Sequence, residues 1–193
     1  MATKNMLDSG LSNSTGTGTF SGSTSATYVA PVLGAASATS LTFSSTDGVI
    51  GSSTNDNANT GSVGEYVSSI IASPGSSISN NTNTDITSIS LTAGDWDVWG
   101  NVGFTGNNAT QITFVGGWTA SSSATRPDPS LYADLSYKST DAVVPYGQGS
   151  INFLVPKKRY SLASTTTIYL SVLSLFTVST TTCYGAIYAR RVR

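Results

Sequence analysis

Apolar and polar residues alternate over DWDVWGNVGF: Trp96, Val98, Gly100, Val102 and Phe104 fall on one side, Asp95, Asp97, Trp99 and Asn101 on the other. Successive side chains of a pleated strand point to opposite faces, so a period of two gives one dry and one wet face, which a helix cannot do with this run. A turn at Gly106-Asn107-Asn108 leads into QITFVGGWTA, where Ile112, Phe114 and Trp118 line up, and the two segments read as a hairpin. Further strands are expected at Tyr66 to Ile71, Ile86 to Leu91, Leu131 to Tyr137 and Ile151 to Val155. Breaks fall at Pro74-Gly75, Arg126-Pro127-Asp128-Pro129 and Pro145-Tyr146-Gly147. Ser, Thr and Gly abound while Lys and Glu, the usual fillers of exposed helix surface, are scarce. The chain is therefore expected to be all-β, an antiparallel β-sandwich of jelly-roll type.

The chain divides near Gly61 to Gly64. Residues 1–63 carry few large apolar side chains, in short clusters (Phe20, Tyr28, Val29, Val32, Leu33, Leu41, Phe43, Val49, Ile50). Such a segment does not bury enough apolar surface alone to offset the entropy of ordering it. Either it is disordered, or, as the clusters fit better, it is a strand-and-turn arm whose copies share a core around a common axis, preceding a head at 64–193. In that head, TTIYLSVLSLFTV is apolar on both sides: Ile168, Leu170, Val172, Phe176 and Val178 on one, Tyr169, Leu173 and Leu175 on the other. The last strand sets Tyr184, Ala186, Tyr188 and Val192 opposite Cys183, Gly185, Ile187 and Ala189. A second apolar face needs cover from a loop or another subunit, which makes Tyr169, Leu173, Leu175, Tyr184 and Tyr188 candidates for an oligomer interface.

Chemistry is thinly represented. The chain has no histidine and one cysteine, which removes the commonest general base and leaves too few ligands for a tetrahedral zinc site within one chain. Phosphate-binding loops and the nucleophile elbow are absent, and neither a metal nor a cofactor is expected. Cys183, inside an apparent strand, reads as a small buried apolar residue. Asp95 and Asp97, two apart on one strand face, are the best pair of carboxylates, with spacing broadly compatible with glycoside cleavage or a cation, though acids on an outward face ordinarily serve solvation. Trp99 shares that face, where an exposed ring beside acids can stack on a sugar or fill a subunit contact. Tyr132, Tyr146 and Asp128, in or near the Pro-rich turns, join Trp99, Asp95 and Asp97 as receptor-binding candidates. The net charge of −1 gives no reason to expect nucleic acid or an anionic membrane as a partner. The basic clusters Lys157-Lys158-Arg159 and Arg190-Arg191-Val192-Arg193 read as a solvated turn and terminus, or as docking points for an acidic partner. MATKNMLDSG lacks the apolar stretch of a secretory signal, so the chain is expected to be made in the cytosol and to leave it only within an assembled particle.

The run SISLTAGDWDVWGNVGF, followed at the far end by TVSTTTCYGAIYARRVR, is similar to the C-terminal domain of many bacteriophage and prophage tail-fibre and related virion proteins. YVAPVLGAASATSLTF resembles the strand-turn segments that precede such heads. The resemblance implies a homotrimer, an N-terminal arm docked on other virion proteins of tail or capsid, and a β-sandwich head that meets a host-surface glycan or protein. An arm of about sixty residues reaches at most about 200 Å. Two placements follow, a short attachment fibre or a fibre or cement protein that decorates the capsid. The family carries no motif of functional residues to transfer.

Overall fold

The computed structural model describes residues 53–107, 109–128 and 150–193, and residues 135–145 as the course of a strand. The apolar clusters of the arm, Tyr132 and Tyr146 lie outside the described residues. Eight strands follow in order: β1 Tyr66–Ile78, β2 Thr84–Leu91, β3 Gly94–Gly106, β4 Gln111–Ala120, β5 Leu135–Pro145, β6 Ser150–Leu162, β7 Thr166–Thr177 and β8 Thr181–Arg191. They form two four-stranded sheets, β1-β8-β3-β6 and β2-β7-β4-β5, antiparallel at every pairing. This order is that of the eight-stranded jelly roll, in which most connections cross between the sheets. The expected all-β sandwich is the fold observed.

Between the sheets lie the side chains that the alternation placed there. Trp96, Val98, Val102 and Phe104 of β3 and Ile168, Leu170 and Val172 of β7 are all fully or almost fully buried. Cys183 is buried in the same core. Desolvation pushes its thiol up to about 12, where the thiolate is scarce at neutral pH. A thiol reagent at pH 8 is expected to leave the native protein unlabelled and to react with one group per chain only after denaturant is added.

Two expectations about β4 fail. It does not form a hairpin with β3, because both edges of β3 are filled, by β6 and by β8. Instead the turn is held at the β7–β8 connection, where Asn107 N and Thr110 Oγ1 both donate to Thr180 O, at 3.1 and 2.7 Å, and β4 enters the other sheet. Nor do Ile112, Phe114 and Trp118 share a face. Thr113 is an extra residue in the register with β7, where Ile112 faces Phe176 and Phe114 faces Leu175. Such a bulge flips the alternation. Ile112 and Val115 point into the core, while Phe114 and Trp118 fall in a separate cluster with Ala120 and Leu173.

That second cluster is covered by the chain itself. Residues after β4 fold back so that Trp118 Nε1 donates to Thr125 O at 2.8 Å, and the Arg126 guanidinium lies 5.9 Å from the Phe114 ring centre. Asp85 of β2 holds this segment in place, accepting from Ser123 Oγ at 2.6 Å, Ala124 N at 2.9 Å and Ser171 Oγ at 2.5 Å. At Pro74-Gly75 the expected break is an interruption inside β1. Pairing with β8 stops at Ile71 and resumes at Ser76, and Gly75 sits so close to Cys183 that a Cβ would collide with its carbonyl oxygen. Val178, expected on a buried face, is exposed with a positive φ in the β7–β8 turn.

Candidate binding groove on the outer face

The outer face of the β1-β8-β3-β6 sheet departs from the hydroxyl-rich surface elsewhere. Tyr66 of β1, Tyr188 of β8 and Trp99 of β3 form a triangular cluster drawn from three strands, with the Tyr66 and Trp99 ring centres themselves 6.4 Å apart. Ring centres are 6.3 Å apart for Tyr66 and Tyr188, at an interplanar angle of 25°, and 5.9 Å apart for Tyr188 and Trp99, at 30°. Cross-strand register sets Tyr188 opposite Trp99 on one side and Ser68 on the other, and Tyr66, opposite Arg190, completes the cluster from the neighbouring position on the same face. Further along the face Ile70 and Leu154 are 65% and 75% exposed, unusual for such large apolar side chains on a sheet.

A bulge next to Trp99 opens a groove. Between the pairs Val98–Lys158 and Gly100–Val155, one residue of β3 opposes two of β6, Pro156 and Lys157. Proline has no N–H to give the ladder, and within sheets it is tolerated at such bulges and on edge strands; β6 is the edge here. The result is a cavity of about 490 Å³ lined by Asp97, Trp99, Gly100, Leu154, Val155, Pro156, Lys157 and Arg190. Trp99 therefore stacks on Tyr188 toward β8 and lines the groove toward β6.

The charges around it are arranged unequally. Lys157 Nζ is 2.8 Å from Asp97 Oδ2, and this pair is exposed. Arg190 faces Asp97 across the β3–β8 ladder yet makes no ion pair or hydrogen bond through its side chain among the described residues. Asp95, expected on the wet face, is buried. Arg159 Nε and Nη2 donate to its two oxygens at 2.9 and 2.5 Å, and Arg193 Nε lies 3.1 Å from Oδ2. The hydrogen bond from Arg159 holds its carboxyl below the ordinary value, burial opposing and the charges of Arg159 and Arg193 adding to the effect. A carboxyl so held does not donate a proton near neutral pH, and with Asp97 bound to Lys157 the pair does not present the free acid and base that glycoside cleavage requires.

The sign of that shift gives a pH test. A depressed folded value contributes stability that is complete above the unfolded value of 3.8 and is lost as pH falls through the folded value. Wild type and Asp95→Asn are expected to differ by a constant denaturation midpoint above about pH 5. The gap should close at lower pH. A gap that persists unchanged at pH 2 means that Asp95 does not carry this acid sensitivity.

The other residues singled out in the sequence scatter. Asp128 is exposed after β4 and does not line the groove. Leu173 is only 7% exposed, buried with Trp118 by the chain itself, so it needs no second subunit to cover it. Leu175 and Tyr169 keep partial exposure on the outer face of the other sheet. Tyr184 lies across Gly103 and donates from its hydroxyl to Asn152 Oδ1 at 2.9 Å. Sequence reasoning brought Trp99, Asp97 and Tyr188 onto the right face and singled out Lys157 and Arg190 within two basic clusters, solvated or docking on an acidic partner, but missed Tyr66, Leu154 and Pro156 and did not bring the two cations together. The missed signal was a proline inside the strand INFLVPKKRY, the mark of an edge or a bulge.

No protein-family model matches the chain, and no curated protein matches it. Among solved structures it is similar to the infectious bursal disease virus VP2 subviral particle at 13% identity and a TM-score of 0.33. It is also similar to structures of that virus's Gx strain, at 8% and 0.35, and Gt strain, at 9% and 0.30. Each match takes in 66% of this chain and between 30% and 35% of the other, so this chain spans about a third of the chains it matches. Likeness at these TM-scores carries no weight for function.

Proposed function

We propose that this chain is a non-enzymatic virion fibre protein of a bacteriophage, docked on the particle by residues 1–63 and exposing a trimeric head for attachment to the host surface. The observation that carries this reading is the outer sheet face, where an aromatic cluster, two exposed aliphatic side chains and a groove occupy positions that a purely solvated sheet would fill with Ser and Thr. The resemblance of SISLTAGDWDVWGNVGF and TVSTTTCYGAIYARRVR to phage fibre heads supports the same reading. The jelly roll supports it by analogy alone, since that architecture serves capsid and lectin domains alike. Leu175 and Tyr169, partly exposed on the opposite sheet, are left for the contact between subunits.

The test is adhesion of the labelled full-length protein to a panel of bacterial cells, with its mass in solution measured by light scattering. Saturable adhesion to some strains and a mass three times that of the chain are the expected results. A monomer that adheres to none overturns the attachment reading. A copy number on the particle matching that of the capsid subunits, without adhesion, would instead make the protein a capsid decoration.

A further inference from the structure

The reading of the head as an attachment module leaves open what it attaches to, and the groove beside Trp99 carries information on that point. Its lining holds two cations and one anion, Lys157, Arg190 and Asp97, so it has an excess of one positive charge. Lys157 and Asp97 satisfy each other at 2.8 Å, which screens the carboxylate from an incoming anion. Arg190 makes no ion pair or hydrogen bond through its side chain among the described residues, its Nη2 lying near Gly64 at the groove's edge toward β1. A guanidinium offers a planar fork of donors that matches a carboxylate in a two-point contact. One such group suits one carboxylate, whereas a chain of phosphates would call for several cations or a nest of backbone N–H groups.

The remaining walls fit a ring with an apolar face and a polar rim. Trp99 on one side and Leu154 and Pro156 on the other are broad apolar surfaces, and the volume of about 490 Å³ lies inside the range of small-ligand clefts. The Asp97–Lys157 pair places an acceptor beside a donor, the complement of neighbouring hydroxyls that each give and accept one hydrogen bond. Sugar rings have this combination. The Trp99 ring is held on its other side by Tyr188, so it is ordered before any ligand arrives, and little entropy is lost on binding.

Resting on the attachment reading, we propose that this groove binds an acidic saccharide, with a sugar carboxylate on Arg190, the ring against Trp99 and its hydroxyls on Asp97 and Lys157. The experiment is calorimetric titration of the full-length protein with two acidic probes, oligogalacturonate and sialyllactose, each against a neutral counterpart, malto-oligosaccharide and lactose. At least one acidic probe should bind at least about tenfold tighter than its counterpart, a preference that weakens as salt is raised. Arg190→Gln should erase the preference, and Trp99→Ala should remove binding of both. Both variants should remain cooperatively folded, Arg190→Gln with a melting temperature near that of the wild type and Trp99→Ala with a lower one, since its ring packs on Tyr188 and Tyr66. Failure of both acidic probes, equal affinity for acidic and neutral sugars, or an unchanged preference in Arg190→Gln overturns the proposal. Adhesion to cells by Trp99→Ala and Arg190→Gln at the wild-type level would discard the groove and keep the attachment reading. Adhesion by none of the proteins, wild type included, would discard the attachment reading, while the titration still judges the groove by itself.

Discussion

Arg191→Met lowers the stability of the head by about 3–5 kcal/mol, the loss expected when one partner of a buried ion pair is removed and the other stays behind. Arg191 is almost wholly enclosed. Its Nε donates to Glu65 Oε2 at 2.9 Å, Nη1 to Ala93 O at 2.8 Å and Nη2 to Thr92 Oγ1, and its guanidinium lies 4.3 Å from the centre of the Trp96 ring. One side chain thus ties the residue before β1 to the β2–β3 turn and to the largest side chain of the core. Backbone bonds repeat the tie, from Gly64 N to Arg191 O at 3.0 Å and from Arg191 N to Glu65 O at 2.9 Å. Methionine keeps much of the apolar stem and removes the charge. Equilibrium denaturation of wild type, Arg191→Met, Glu65→Gln and the double variant measures the coupling. The double variant should be more stable than Arg191→Met alone, because the amide put in place of the Glu65 carboxylate carries no charge to strand. Its oxygen still accepts from Gly61 N, a bond of 2.8 Å in the wild type. A loss below about 1 kcal/mol in Arg191→Met would show the pair exchanging with water like an ordinary surface bridge.

Trp118→Ala costs a similar amount, about 3–5 kcal/mol, the usual range for removing a buried aromatic ring. The site differs from Trp96 in kind. Trp118 lies on the outer side of its sheet, and its burial depends on residues 121–128, which bond to its indole nitrogen and are anchored by Asp85. The substitution should therefore loosen this segment as well as open a void. Cleavage within residues 121–126 by a broad-specificity protease such as subtilisin, under native conditions, should accelerate in Trp118→Ala and also in Asp85→Ala, which frees the segment while leaving the ring. If this segment stays as protected in both variants as in the wild type, it is held by something other than these two residues.

Much of this architecture was legible before folding was considered. A period of two in DWDVWGNVGF sorts Trp96, Val98, Val102 and Phe104 from Asp97, Trp99 and Asn101 because pleat geometry is local, and the structure keeps that sorting. The same parity through Cys183, Gly185, Ile187 and Ala189 continues to Arg191 and leads a charged residue inward; the basic run around it disguised this as a solvated terminus. What alternation does not encode is which strand lies beside which. The course of β3 into the opposite sheet from β4 was decided by occupied edges, and the faces of Phe114 and Trp118 by one inserted residue, Thr113. The groove belongs to the same class. Asp97, Trp99, Lys157 and Arg190 are brought together by pairings between residues about 60 and 90 positions apart. Local pattern thus determines which face of each strand is dry, because that follows from the backbone of the strand itself. Register, bulges and the neighbours across the sheet arise only when distant segments meet, and it is there that the charges of this chain find their partners and its aromatic residues their cluster.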